Sequence, residues 1–362
     1  MKSARSRNWT LLLAVAVACG GSPAATGDDT TGVESKGSRH FGLHVTETET
    51  GGYDQAFSLA KRAGMDVIPL ALAWTQIQTD HGFDGSILDA ANAYYSAQNI
   101  PVHLTITSPI NTNIADVPTS LRGLSLDDAR VIAAFRVLLD SVHARLSRVQ
   151  LHTFIIGNEI DATLGADDRA WSAYQTFFDS SRAYARKLWG AGLRVSSTTT
   201  FNGVKQNVAP FARFVNDLDF LSVTYYPLNA NFTVRSNADV AGDIALVLDR
   251  FPTKPVQFAE VGLPSSATDG SSEDNQAAFV GEIFHVWDAH ASRIPFVAYL
   301  WSSDLSEQQA QSFVAYYGAT GAPDTERFKE YLRTLGLRRF PGGGADKPGF
   351  IRLKQELSRR GW

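Results

Sequence analysis

Two glutamates end apolar runs in this sequence, and a pair of carboxylates is the smallest apparatus that can hand over a proton and attack a carbon. Glu159 follows Phe154-Ile155-Ile156-Gly157-Asn158, and Glu260 follows Pro255-Val256-Gln257-Phe258-Ala259. Runs of β-branched and aromatic residues of this length predict buried strands. A strand that breaks into Gly-Asn-Glu delivers an amide and a carboxylate at its C-terminal end, where a parallel barrel carries its chemistry. Facing one another across such a cavity, the two carboxyl groups suit glycoside hydrolysis. One protonates the leaving oxygen and the other attacks the anomeric carbon.

A single glutamate at a strand end is commonly a helix cap or a solvated acid. Companion residues give this pair its weight. Asn158 precedes Glu159 and has an amide to offer a sugar hydroxyl; Tyr226 ends the sixth apolar run and is placed to orient a carboxylate. Trp301 and Trp74 stand at two further run ends as aromatic walls, and His44 ends the first run. His103, inside the third run, has the position of a hydrogen-bonded core imidazole.

The elements that must position these residues follow from periodicity. Apolar runs at 40–45, 65–73, 101–107, 150–157, 194–199, 219–224, 255–259 and 295–300 predict eight strands. Amphipathic stretches alternate with them. One ends at the C-cap residue Gly64, and a long one, from Ser125 as N-cap, runs to about residue 147. Eight βα repeats in one apolar series favour an α/β fold, a single (β/α)8 TIM barrel spanning 39–340, over an open doubly wound sheet. Helical patterns at 306–317 and 324–335 are expected to supply the last outer helix, and 341–362 a short C-terminal appendage. No Gly-rich phosphate-cradling motif follows a strand, so no nucleotide cofactor is expected.

The residues now quoted carry a resemblance. Gly157-Asn158-Glu159 on strand four, Glu260 on strand seven, Tyr225-Tyr226-Pro227 on strand six and Trp301 on strand eight resemble the clan GH-A glycoside hydrolases. That resemblance implies a (β/α)8 barrel and a retaining double displacement, with Glu159 as general acid/base, Glu260 as nucleophile and Asn158 as a contact to the sugar 2-hydroxyl. Within the clan, Gly-Asn-Glu-Ile, Ser-Val-Thr-Tyr-Tyr-Pro-Leu and Glu-Val-Gly-Leu-Pro are most similar to family 53, the endo-β-1,4-galactanases. The sequence departs from that family at the end of strand three, Leu104-Thr105-Ile106-Thr107, and no arginine is evident on strand two. Those departures keep open a barrel that binds carbohydrate without cleaving it.

The N-terminus has a separate logic. Lys2, Arg5 and Arg7 precede a short apolar run over 11–17, and Ala16-Val17-Ala18-Cys19 resembles a bacterial lipobox. Residues 1–18 therefore predict a lipoprotein signal peptide, with Cys19 lipidated and 19–38 a flexible tether. The protein is expected to be an exported bacterial lipoprotein at the outer membrane or cell surface, touching the membrane only through its lipid. Cys19 is the only cysteine, so neither an internal disulfide nor a cysteine metal cluster can form, and no metal is expected. Loss of the signal takes the formal charge from -4 to -7, leaving no basic stripe for nucleic acid. Carbohydrate is the expected partner.

Overall fold

The computed structural model describes residues 32–79 and 82–362. The signal peptide, Cys19 and most of the expected tether lie outside the described residues. Packing begins ahead of Arg39: its guanidinium donates to the carbonyls of Glu34 and Ser35, and the Lys36 amide donates to the Arg360 carbonyl.

Eight strands follow the expected order: β1 His40–Leu43, β2 Ile68–Leu72, β3 Val102–Asn111, β4 Leu151–Asn158, β5 in two pieces Val195–Ser196 and Thr198–Thr200, β6 Leu221–Tyr225, β7 Val256–Val261 and β8 Phe296–Tyr299. All pair in parallel, β2 to the first piece of β5 in one sheet and the second piece of β5 through β8 to β1 in the other. Strand β5 joins the two sheets on one side, and a single bridge, Gly42 to Val67, joins β1 to β2 on the other. The result is a closed (β/α)8 barrel. Gly42 allows that closure, because a Cβ there would meet Pro69 Cγ at 2.9 Å and Phe296 Cζ at 3.0 Å.

The helices form where one face is apolar. In Ala129–Arg145, Val131, Phe135, Leu138, Leu139 and Val142 fall on one stripe and are buried. This helix starts later than the sequence suggests. Asp128, not Ser125, caps it, its side chain accepting from the Arg130 amide.

Two corrections concern elements near the site. Strand β3 runs on to Asn111 instead of stopping at 107, because Pro109 sits in extended backbone and residues 110–111 pair antiparallel with Ile114–Ala115. The last outer helix is Pro348–Arg360, inside the expected appendage. It packs between Tyr53–Ala63 and Glu273–Ala289, burying Phe350, Leu353 and Leu357. A buried ion network fixes it there: Arg360 Nη2 to Asp288 at 2.6 Å, and Arg39 Nη1 to Asp288 at 2.8 Å. The helices Glu307–Tyr316 and Thr325–Arg333, expected in that outer position, instead pack on each other and supply side chains to the mouth of the barrel.

Candidate active site

Strand β4 ends in a turn that only its own sequence permits. Gly157 has φ 77°, and a Cβ there would lie 2.5 Å from the Tyr174 hydroxyl. Glycine alone fits. Glu159 also adopts a left-handed φ, 49°, a region that residues with side chains seldom occupy. Neighbours hold it there. The Thr112 amide donates to the Asn158 carbonyl at 2.8 Å, and Asp161 accepts from the Thr200 amide and hydroxyl at 2.7 and 2.6 Å. Each oxygen of the Glu159 carboxylate accepts one hydroxyl, Thr224 Oγ1 at 2.6 Å and Thr112 Oγ1 at 2.7 Å.

Glu260 is aimed by a bulge. Against β6, Val223 pairs with Phe258 and Thr224 with Glu260, so Ala259 is an extra residue in β7. The carbonyl of Ala259 accepts from His44 Nε2 at 3.3 Å. A carbonyl can only accept, so Nε2 carries the proton. Burial pushes the His44 imidazole down to about 4, and it is neutral at ordinary pH. On the other side, Tyr226 donates its hydroxyl to Glu260 Oε2 at 2.6 Å. Burial and the Glu260 charge hold the phenol far above its usual range, so it stays a donor.

Glu159, Glu260, Asn158, Tyr226, Trp301 and His44 all line one cavity of about 530 Å³ at the C-terminal mouth of the barrel. Both carboxyl groups are raised by burial. Glu159 is raised further by the Glu260 charge, against the pull of the Thr224 and Thr112 hydroxyls. For Glu260 the Tyr226 hydrogen bond works against burial. The two carboxyl groups thus differ in their partners, one phenol against two threonine hydroxyls, while burial raises both. Asn158 donates to Asn111 Oδ1 at 3.2 Å, and Trp301 leans on Phe313 with ring centroids 5.8 Å apart.

Trp74 is the exception. It is fully buried in the short helix Trp74–Ile77 that follows β2, its indole donates to Gln78 and its ring packs edge-on to Phe135, so it is a core residue and not a cavity wall. On the inner side of β2 the residue facing the cavity is Ala71. His40 and His44 have the spacing of a helical metal pair, but His40 opens strand β1 and His44 follows its last residue, and four residues of extended chain span about 13 Å. Among the described residues no cluster of histidine, cysteine or carboxylate side chains could hold a metal.

The site also contains residues that sequence reasoning passed over. Thr224 was legible in principle, since Ser222, Thr224 and Tyr226 alternate along β6 toward one face. Thr112 has no such signal; it stands in a turn at φ 56°. Phe232, Phe313, Phe328, Tyr331 and Leu332 form an apolar wall contributed by loops and helices distant in sequence. Among the described residues no lysine or arginine lines the cavity.

No family model and no curated protein sequence matches the chain. Solved structures do. A family 39 glycoside hydrolase from Bacteroides cellulosilyticus aligns at TM-score 0.57 and 15% identity over 89% of this chain. The chain spans 64% of that protein's length. GH5_18 from Streptomyces cattleya, solved with GlcNAc, aligns at TM-score 0.67 and 16% identity over 91% of this chain and 81% of its own. The GH53 catalytic domain of Ignisphaera aggregans aligns at 0.60 and 14% identity over 88% of this chain and 95% of its own. The chain thus has the barrel fold of glycoside hydrolases, the fold that its resemblance to clan GH-A implied.

Proposed function

We propose that this protein is a retaining β-glycoside hydrolase acting on an oligosaccharide or polysaccharide. Glu260 attacks the anomeric carbon and Glu159 protonates the departing oxygen, then removes a proton from the incoming water. One observation carries the reading: two half-buried carboxyl groups share a cavity, one held by a phenol and one by two hydroxyls, and burial raises both above the ordinary carboxyl range. Asn158 contacts the sugar hydroxyl beside the reacting carbon, and Trp301 provides a flat apolar face for the ring. β-1,4-Galactan is the first polymer to test, given the similarity to family 53. Acylation of Cys19 belongs to the same proposal and would hold the enzyme at a membrane surface through its lipid.

Replacing Glu159 with Gln is expected to lower turnover of a 4-nitrophenyl β-glycoside by about 10²- to 10⁴-fold. Replacing Glu260 with Ala should reduce it to the blank. Wild-type turnover in both variants would refute the assignment. A barrel that binds glycans without cleaving them is favoured by one feature, the lack of a lysine or arginine among the described residues that line the cavity with Glu260. It predicts calorimetric binding with no reducing ends released from β-linked galactans, mannans, glucans or xylans.

A further inference from the structure

The cavity does not end at Glu159. A second compartment, of about 490 Å³, lies beyond Tyr226, Phe232 and Tyr331, which line both spaces. These dividing rings support one another, Tyr226 edge-on to Tyr331 at 5.6 Å and Phe232 stacked on Tyr331 at 5.9 Å. Glu159 also reaches both compartments, whereas Glu260, His44 and Trp301 line only the first. The second adds Thr200, Asn202, Gln206 and Asn229, neutral groups that can donate and accept hydrogen bonds. Of these, Thr200, Asn202 and Gln206 also line a third space of about 290 Å³ beside Asp161 and Phe211. The second space is a groove that leads from Glu159 past the ends of β5 and β6, and the third lies against it across Thr200, Asn202 and Gln206.

Reaction chemistry gives the groove a direction. The proton donor must stand at the departing oxygen, and the nucleophile under the ring that it attacks. A compartment that reaches the donor but not the nucleophile is where the leaving group lies. We propose that the groove marked by Thr200, Asn202, Gln206 and Asn229 binds the leaving-group side of a neutral saccharide chain, two or more sugar units long. The proposal rests on the glycosidase reading and names its substrate class, β-linked oligosaccharides of uncharged sugars. Amide and hydroxyl groups match sugar hydroxyls, and among the described residues no lysine or arginine lines either space to pair with an acidic sugar.

The test uses galacto-, manno-, gluco- and xylotetraoses with β-1,4 links, each carrying a label at its reducing end. The 4-nitrophenyl β-glycoside of the sugar that wild type cleaves is the reference, since its leaving group is too short to fill the groove. Asn202→Ala and Gln206→Ala should each lower kcat/KM on the tetraose about ten-fold more than on the reference, the loss of about one hydrogen bond. Gln206→Trp, which fills the groove, should give the same bias. The labelled product should contain at least two sugar units. Losses on the two substrates that match within about two-fold, or a labelled monosaccharide as the sole short product, would overturn the groove assignment. If wild type cleaves neither substrate class, the glycosidase reading fails and the groove assignment falls with it.

Discussion

Replacing Thr224 with Val tests the division of labour between the two glutamates most directly. Thr224 is 2% exposed and its hydroxyl donates to Glu159 Oε1 at 2.6 Å, so valine keeps the shape and removes the donor. A hydrogen bond to an ionised group contributes about 1.5–3 kcal/mol. One pKa unit corresponds to about 1.36 kcal/mol, and the protonated carboxyl also keeps some contact with the hydroxyl, so the low end applies, about one unit. The sign is upward, because the lost bond favoured the ionised form. Glu159 must be protonated in the free enzyme to act as acid, so a raised value extends activity to higher pH. The alkaline limb of kcat/KM against pH should therefore move up by about one unit in Thr224→Val. Its acidic limb, set by ionisation of Glu260, should stay, since that carboxylate contacts Tyr226 and neither threonine. Thr112→Val acts on the other oxygen and should shift the same limb the same way. The assay is kcat/KM for a 4-nitrophenyl glycoside from about pH 4 to 9, spanning the ordinary carboxyl range and above it. An alkaline limb that stays in place or moves down would refute the assignment of the proton to Glu159.

Two further outcomes follow from charge. Beside the Glu260 carboxylate, with no lysine or arginine among the described residues of the cavity lining, a uronic acid carboxylate about 5 Å away meets repulsion of roughly 3 kcal/mol at an effective dielectric of about 20. The 4-nitrophenyl uronide of an accepted sugar should thus show kcat/KM about 100-fold below its neutral counterpart, and equal values would refute the electrostatic account. In the C-terminal helix, Arg360→Met leaves Glu356 and Asp288 short of a buried cation, which should cost about 3–5 kcal/mol in denaturant unfolding. A loss below about 1 kcal/mol would mean that Arg39 and packing alone hold this helix.

The strand ends that carry Glu159, Glu260, Asn158, Tyr226, Trp301 and His44 were legible in the sequence because each closes a short apolar run. A run of β-branched and aromatic residues favours extended backbone wherever it lies, and eight such runs separated by amphipathic helices have few ways to bury their faces other than a barrel. Trp74 shows where that reasoning stops. It also ends an apolar run, yet the chain has left β2 at Leu72 and turned into the short helix Trp74–Ile77, which packs the indole against Phe135 in the core. The placement of Ala259 as a bulge, which aims Glu260, depends on register against β6 and β8 and leaves no mark in the residue types.

The two threonines divide along the same line. Thr224 shares a strand face with Tyr226, so alternation could have found it. Thr112 reaches Glu159 only because β3 continues past Pro109 and turns back at a left-handed residue. The apolar wall, the leaving-group groove and the role of Pro348–Arg360 as the last outer helix were decided by tertiary structure alone. Their side chains come from segments far apart in the chain, brought together by packing free energy that no local pattern records. The sequence by itself thus determined which residues could do chemistry and which strands would carry them. Only the closed barrel decided which hydroxyls hold Glu159, which wall faces the substrate and which way its leaving group departs.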